Sequence, residues 1–123
     1  MAAVKEPFSV NPNFANKHLY TPVIGHGETL YLAGRTSWNA PEPEDIKAAT
    51  KFVLDGLEAE LKNVGSSMEK VLKVVVYLRD IEDYDGMNAM YEGRFGAVPP
   101  ARTTVEAKLP RKSIVGVDIT AYR

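Results

Sequence analysis

Residues 71–78 read Val-Leu-Lys-Val-Val-Val-Tyr-Leu, and no other stretch restricts the fold as tightly. β-Branched and aromatic residues at this density fit the pleated surface of a strand. Successive strand side chains point to opposite faces. Val71, Val75 and Tyr77 therefore oppose Leu72, Val74, Val76 and Leu78, and both faces are apolar. A strand of this kind belongs inside a sheet, with something packed on each side of it.

One cover is legible on either side of the strand. Ile46, Ala49, Val53, Leu57, Leu61 and Val64 recur at three- and four-residue spacing, which predicts an amphipathic helix running from Pro43 through Lys62, with Gly65 as its C′ stop. Ser66-Ser67-Met68-Glu69 has the form of a capping box for one further turn. Beyond the strand, Asp83 or Asp85 caps a second helix through Phe95, with Met87, Met90, Tyr91 and Phe95 on its inner side. Near the N-terminus, Leu19 to Ile24 and Thr29 to Arg35 flank Gly25-His26-Gly27-Glu28, the signature of a β-hairpin.

Pro99 and Pro100 lack N–H donors and fix φ, so they end the second helical pattern and force extended backbone. The strand that follows places Arg102, Thr104 and Glu106 on one face and Thr103, Val105 and Ala107 on the other. From Ser113 to Tyr122, Val115, Val117, Ile119 and Ala121 alternate with Ile114, Gly116, Asp118 and Thr120. The first of these sets is expected to face the helices.

Two helices cover one face of such a sheet and leave the other open. An open apolar face usually marks an interface, which predicts a closed homo-oligomer packed sheet to sheet. Its clefts are expected to be lined by polar residues of the second face, including Arg102, Thr104, Asp118 and Thr120. An arginine held there offers a rigid fork of donors suited to a carboxylate. Arg35 and Trp38 follow the second strand. At the cleft rim they would add a cation and an indole, which suit a larger, aromatic or dianionic ligand.

Composition narrows the function classes. A chain of 123 residues fits one domain, residues 1–123. The formal net charge of −1 supplies no basic field, so nucleic acid is not an expected partner. Without cysteine there is no disulfide framework, thiolate nucleophile or zinc–thiolate site, which suits a cytoplasmic or organellar setting. His18 and His26 lack companion ligands, and neither a phosphate-cradling loop nor a dinucleotide fingerprint occurs, so no metal or cofactor is expected. The N-terminus has no secretory apolar core and no apolar run approaches a membrane span, so no membrane partner is expected.

Taken in order, Tyr20-Thr21-Pro22-Val23, Leu32-Ala33-Gly34-Arg35, the helix-then-strand ending at Asp80, Asn88-Ala89-Met90-Tyr91-Glu92 and Pro100-Ala101-Arg102-Thr103-Thr104-Val105-Glu106 with Leu109-Pro110 resemble the RidA/YjgF (reactive intermediate deaminase) family across essentially the whole chain. The resemblance implies an α+β, chorismate-mutase-like fold: a mixed sheet with two helices on one face, assembled as a homotrimeric barrel with ligand clefts between subunits. It implies hydrolysis of enamine and imine intermediates such as 2-aminoacrylate to a 2-oxo acid and ammonia. By the same resemblance Arg102 clamps a small-molecule carboxylate, Tyr20 lines the pocket, Asn88 lies near the cleft, and backbone groups near Gly34 and Thr103 orient the substrate.

Several positions depart from that family's pattern. Where its deaminases carry the carboxylate that positions water, this chain has Gly116. Asp118 lies on the same face two residues on, displaced by about 6–7 Å, and could act only through a water. Glu106 is a second candidate acid. The usual Ser-Gly-Gln reads Ala33-Gly34-Arg35, and a frequent cysteine is Thr104. Two readings stay open: a deaminase of altered substrate, or a trimer that binds a small carboxylate without turnover. A ribonuclease or translation inhibitor is a third, disfavoured by the near-neutral charge.

Overall fold

A computed structural model describes residues 2–8, 15, 16 and 18–123. Its strands are β1 (Glu6–Phe8), β2 (Val23–His26), β3 (Thr29–Leu32), β4 (Arg35–Thr36), β5 (Val71–Leu78), β6 (Ala101–Glu106) and β7 (Val115–Tyr122), and its helices are α1 (Ile46–Asn63) and α2 (Tyr84–Tyr91). They form a seven-stranded mixed sheet in the order β1-β2-β3-β7-β5-β6, with β4 paired to β7 beside β3. The β5–β6 pair is parallel, whereas β5–β7 and the hairpin β2–β3 are antiparallel.

α1 forms where the periodicity predicts it. Asp45 caps it by accepting from the Ala48 amide at 2.9 Å. At the other end Ser66 N donates to Leu61 O and Gly65 N to Lys62 O, with Gly65 at φ +79, a left-handed cap that glycine adopts without a Cβ penalty. Val53, Leu54, Leu57 and Leu61 are fully buried against the sheet. Each contributes about 1.5–3 kcal/mol by leaving water.

β5 runs through the middle of this core, but its first two residues break the alternation. Val71 pairs with Ala121 and Lys73 with Thr120, so Leu72 is an extra residue in the ladder. This bulge turns Val71 into the core beside Val74, Val76 and Leu78 and leaves Leu72 half exposed, the reverse of what strict alternation predicts for both residues. A second bulge separates β3 from β4. The register slips by one residue between Tyr31↔Thr120 and Arg35↔Val117, at Ala33–Gly34. Arg35 thereby shares the helix face with Val117 instead of the outer face with Tyr31.

Other elements also differ from expectation. Val23, not Leu19, opens β2, because the amides of Leu19 and Tyr20 turn back to Asn16 O and Pro22 has no N–H for a ladder. α2 ends at Tyr91 and does not reach Phe95; Gly93 at φ +78 and Gly96 at φ +81 turn the chain aside, although Phe95 still packs in the core. The capping box at Ser66 does not form. Its hydroxyl donates to Tyr122 O at 2.5 Å, and Ser67 makes no side-chain cap. β1, absent from the sequence reading, adds an edge strand to β2.

Cross-strand partners share a face, so the ladders define both sides of the sheet. Val74, Val76, Val117 and Ile119 form the helix-covered side and are buried. The open side carries Tyr31, Lys73, Val75, Tyr77, Thr103, Val105, Asp118 and Thr120. Arg102 pairs with Val74 and Thr104 with Val76, which puts both on the helix side. The expectation that they share the open face with Asp118 and Thr120 is therefore corrected. The parallel β5–β6 register decides this, and alternation within one strand cannot reveal it.

Candidate functional site

β6 is the edge strand beyond β5, and α2 crosses its helix-facing side. Tyr84, Met87, Asn88 and Tyr91 stand at i, i+3, i+4 and i+7 of α2, along one stripe of the helix. Arg102 reaches into that stripe. Its Nη1 donates to Asn88 Oδ1 at 2.7 Å and its Nη2 to Tyr84 Oη at 3.0 Å. The guanidinium lies 4.6 Å from the Tyr91 ring centroid and 5.5 Å from that of Tyr84, a stacked cation–π arrangement. Nη1 is also 4.0 Å from Met87 Sδ.

All of these neighbours are neutral. Among the described residues Arg102 makes no ion pair, in contrast to Arg35, Arg79, Arg94 and Arg123. A guanidinium has five N–H donors and these contacts do not use all of them. Beside it opens a cleft of about 390 Å³, lined by Arg102, Asn88, Tyr91, Phe95 and Pro99 with the chain around Gly93 and Gly96. The turn at Gly93 and the proline arrival into β6 thus shape the cavity as well as ending the helix.

Two hydroxyls near Arg102 are buried, Tyr91 Oη and Thr104 Oγ1; among the described residues Thr104 Oγ1 has no hydrogen-bond partner, whereas Tyr91 interacts with the Arg102 guanidinium. Tyr91 is 8 % exposed. Burial pushes its phenol above the usual value, while the adjacent Arg102 charge and a hydrogen bond with Arg102 pull the other way. Tyr91 lines the cleft, but its Oη is closed off from solvent. Tyr84 and Tyr91 went unassigned in the sequence, where Tyr91 reads as core; their signal was the shared stripe with Asn88.

The remaining candidates separate from Arg102. Asp118 lies on the open face, where it accepts a hydrogen bond from Tyr77 Oη at 3.2 Å. Its negative charge, with some burial and the hydrogen bond, holds the Tyr77 phenol above its usual value. Gly116 lies on the same side and is buried; a Cβ there would meet Thr36 Cγ2 at 3.2 Å and Leu109 at 3.6 Å, so an acid does not fit without movement. Gly34 sits against Asp118, its would-be Cβ 3.8 Å from the Asp118 Cβ, and Ala33 N donates to Pro22 O. Thr103 accepts from Lys73 Nζ on the open face. Tyr20 is exposed in the segment before β2. The structure thus brings Arg102, Asn88 and Thr104 together on one side, and Gly34, Thr103, Gly116 and Asp118 on the other.

Arg35 is no ligand-facing cation. The bulge sends it under α1, where Nη2 and Nε donate to Glu60 Oε1 at 2.6 and 3.0 Å. It crosses the helix at Gly56, where a Cβ would stand 2.7 Å from Arg35 Nε. Trp38 does not join Arg102 either; the Arg111 guanidinium covers its ring at 4.5 Å. Arg111 and Lys112 both take left-handed φ, +56 and +57, and Arg79 ties the turn by donating to Lys112 O at 3.0 Å. Glu106 accepts from the Ile81 amide at 2.8 Å and holds the separate turn at Ile81–Asp83 that leads into α2.

A mixed sheet layered on one side by two helices, with an arginine on its edge strand, is a chorismate-mutase-like α+β architecture. The family model described as Endoribonuclease L-PSP matches residues 11–123. A RutC family protein of Pyrococcus abyssi is 35 % identical over 109 residues, covering 85 % of this chain and 86 % of the relative. A YjgF family member from Neisseria meningitidis superposes with TM-score 0.83 at 30 % identity, covering 98 % of this chain and 95 % of that one. RidA from an Antarctic Psychrobacter superposes with TM-score 0.79 at 25 % identity, covering 95 % and 93 %. The chain belongs to the RidA/YjgF family.

Proposed function

We propose that this protein hydrolyses reactive 2-imino acids and their enamine tautomers to 2-oxo acids and ammonia. The observation that carries the reading is Arg102, a cation held by Asn88, Tyr84 and Tyr91 at an open cleft, with no ion-pair partner among the described residues. The substrate carboxylate takes the free donors, a charge-assisted contact contributing about 1.5–3 kcal/mol of binding and orientation. Protonation of the enamine CH₂ gives the imine. Water then adds to the C=N carbon, and the carbinolamine expels ammonia to leave the C=O. No cofactor enters this sequence.

Arg102 and Asp118 stand on opposite faces of one sheet, so an Asp118 that orients water does so at the cleft of a neighbouring copy. This agrees with a homotrimer whose open sheet faces close on one another, burying Val75, Val105 and Tyr31. The test generates 2-aminoacrylate in situ and follows its loss with and without the protein, with Arg102→Ala as control, beside sedimentation analysis of the assembly. Acceleration that Arg102→Ala abolishes supports the reading. Absence of acceleration, with 2-oxo acids still bound through Arg102, replaces it by a carboxylate-binding trimer. The description of the matched family names an endoribonuclease; a net charge of −1 does not favour that activity for this chain.

A further inference from the structure

The cleft beside Arg102 is larger than the smallest substrates of the proposed reaction. Its volume of about 390 Å³ would hold roughly a dozen waters at ~30 Å³ each. A three-carbon oxo acid has about half that number of heavy atoms, and clefts of ~300–1,000 Å³ ordinarily accommodate drug-sized molecules. The shape of the chemistry is also uneven. Arg102 and Asn88 are its polar groups, Glu92 adds a carboxylate, and Ala89, Tyr91, Phe95, Pro99 and the backbone at Gly93 and Gly96 make up the rest of the lining.

Resting on the carboxylate reading of Arg102, we infer that this cleft selects 2-imino and 2-oxo acids with a bulky apolar side chain, branched or aromatic, over the three- and four-carbon acids. The carboxylate sits on Arg102, and the side chain lies along Ala89, Tyr91, Phe95 and Pro99. Each further methylene buried there tightens binding about fourfold, so several added carbons outweigh the cost of ordering a longer ligand. Arg35 and Trp38, the bulk-selecting residues suggested by sequence, take no part, because Glu60 and Arg111 occupy them.

The stable oxo acids serve as probes. Calorimetric titration of the full-length protein with pyruvate, 2-oxobutanoate, 4-methyl-2-oxopentanoate and phenylpyruvate is expected to give at least tenfold tighter binding of the last two. Ala89 is exposed on α2, so Ala89→Trp narrows the cleft with little demand on folding, and Ala89→Leu is the milder second variant. Either is expected to shrink the ratio of phenylpyruvate to pyruvate affinity, the Trp variant at least tenfold. Pyruvate binding as tightly as phenylpyruvate, or a preference that survives both Ala89 variants, overturns the size selection while leaving the carboxylate site intact. Affinities that Arg102→Ala leaves unchanged for every acid, or no binding of any acid, overturn the carboxylate reading itself.

Discussion

Arg102 and Asp118 lie on strands separated only by β5, yet their side chains leave the sheet on opposite sides. Two ladder spacings, about 10 Å, and the thickness of the sheet stand between them. The cation is therefore organised by α2, and the acid, among the described residues, by its hydrogen bond from Tyr77. A carboxylate clamp and a water-orienting acid in the same protomer cannot meet at one substrate.

The clamp depends on the fork as well as the charge. Arg102→Ala should weaken 2-oxo acid binding by roughly 10- to 150-fold, the equivalent of about 1.5–3 kcal/mol. Arg102→Lys should recover little of it, because an ammonium cannot bond Asn88 and Tyr84 and still present two parallel donors. Asn88→Ala should cost less than Arg102→Ala. Calorimetry on the three variants orders them; a lysine variant equal to the native protein would reject the bidentate geometry.

The ion pair beneath α1 should matter for stability rather than binding. Glu60 is nearly buried, its side chain 8 % exposed. Arg35→Ala leaves that charge uncompensated and should cost about 3 kcal/mol. Gly56→Ala should destabilise the native protein by crowding Arg35, but in the Arg35→Ala background it should stabilise by about 1 kcal/mol through helix propensity. Denaturant melts of the double-mutant cycle measure both signs.

Acid should loosen the α1 to α2 side. Burial raises the Asp55 carboxyl, but hydrogen bonds from Lys51 at 2.6 Å and Arg94 at 2.9 Å, with their charges, outweigh it and hold its pKa below the ordinary 3.8. A carboxyl depressed in the folded state stabilises above its unfolded pKa and loses that contribution as pH falls through the folded value. Thermal stability should therefore decline below pH 3.8. In Arg94→Ala the Asp55 share of that decline should be smaller, as thermal melts from pH 6 to about 2 would record.

Alkali should report on the open face. Asp118 holds the Tyr77 phenol above 10.0. A raised phenol pKa favours the neutral form on folding; that contribution is complete below the unfolded value and disappears as pH rises through the folded one. Asp118→Asn should bring the titration of Tyr77 down, read as the phenolate absorbance lost between each protein and its Tyr77→Phe partner. An unchanged midpoint would show that the two groups do not interact.

Local pattern carried a large part of this fold. The 3.6-residue spacing in α1, its Gly65 stop, the strand character of β5 and the inward set Val115, Val117, Ile119 and Ala121 all follow from periods of one segment. What stayed hidden depends on pairing between segments. Leu72 carries no residue type that announces a bulge, whereas Gly34 is a residue type found at bulges but does not by itself fix the slip, and each bulge reverses the facing of its neighbours. The side chosen by Arg102 follows from its parallel register with Val74. Asn88 was legible by resemblance, whereas Tyr84 and Tyr91 required the position of α2 over β6.

The extra residue at Ala33–Gly34 has an evolutionary consequence. Deleting it would swing Arg35 outward to water and strand Glu60 beneath α1 with no counter-charge. The loop length, the guanidinium, the acid and the small residue at Gly56 are thus inherited as a linked set. A homologue that loses the bulge should carry a neutral residue where this chain has Glu60, and should be free to replace Gly56.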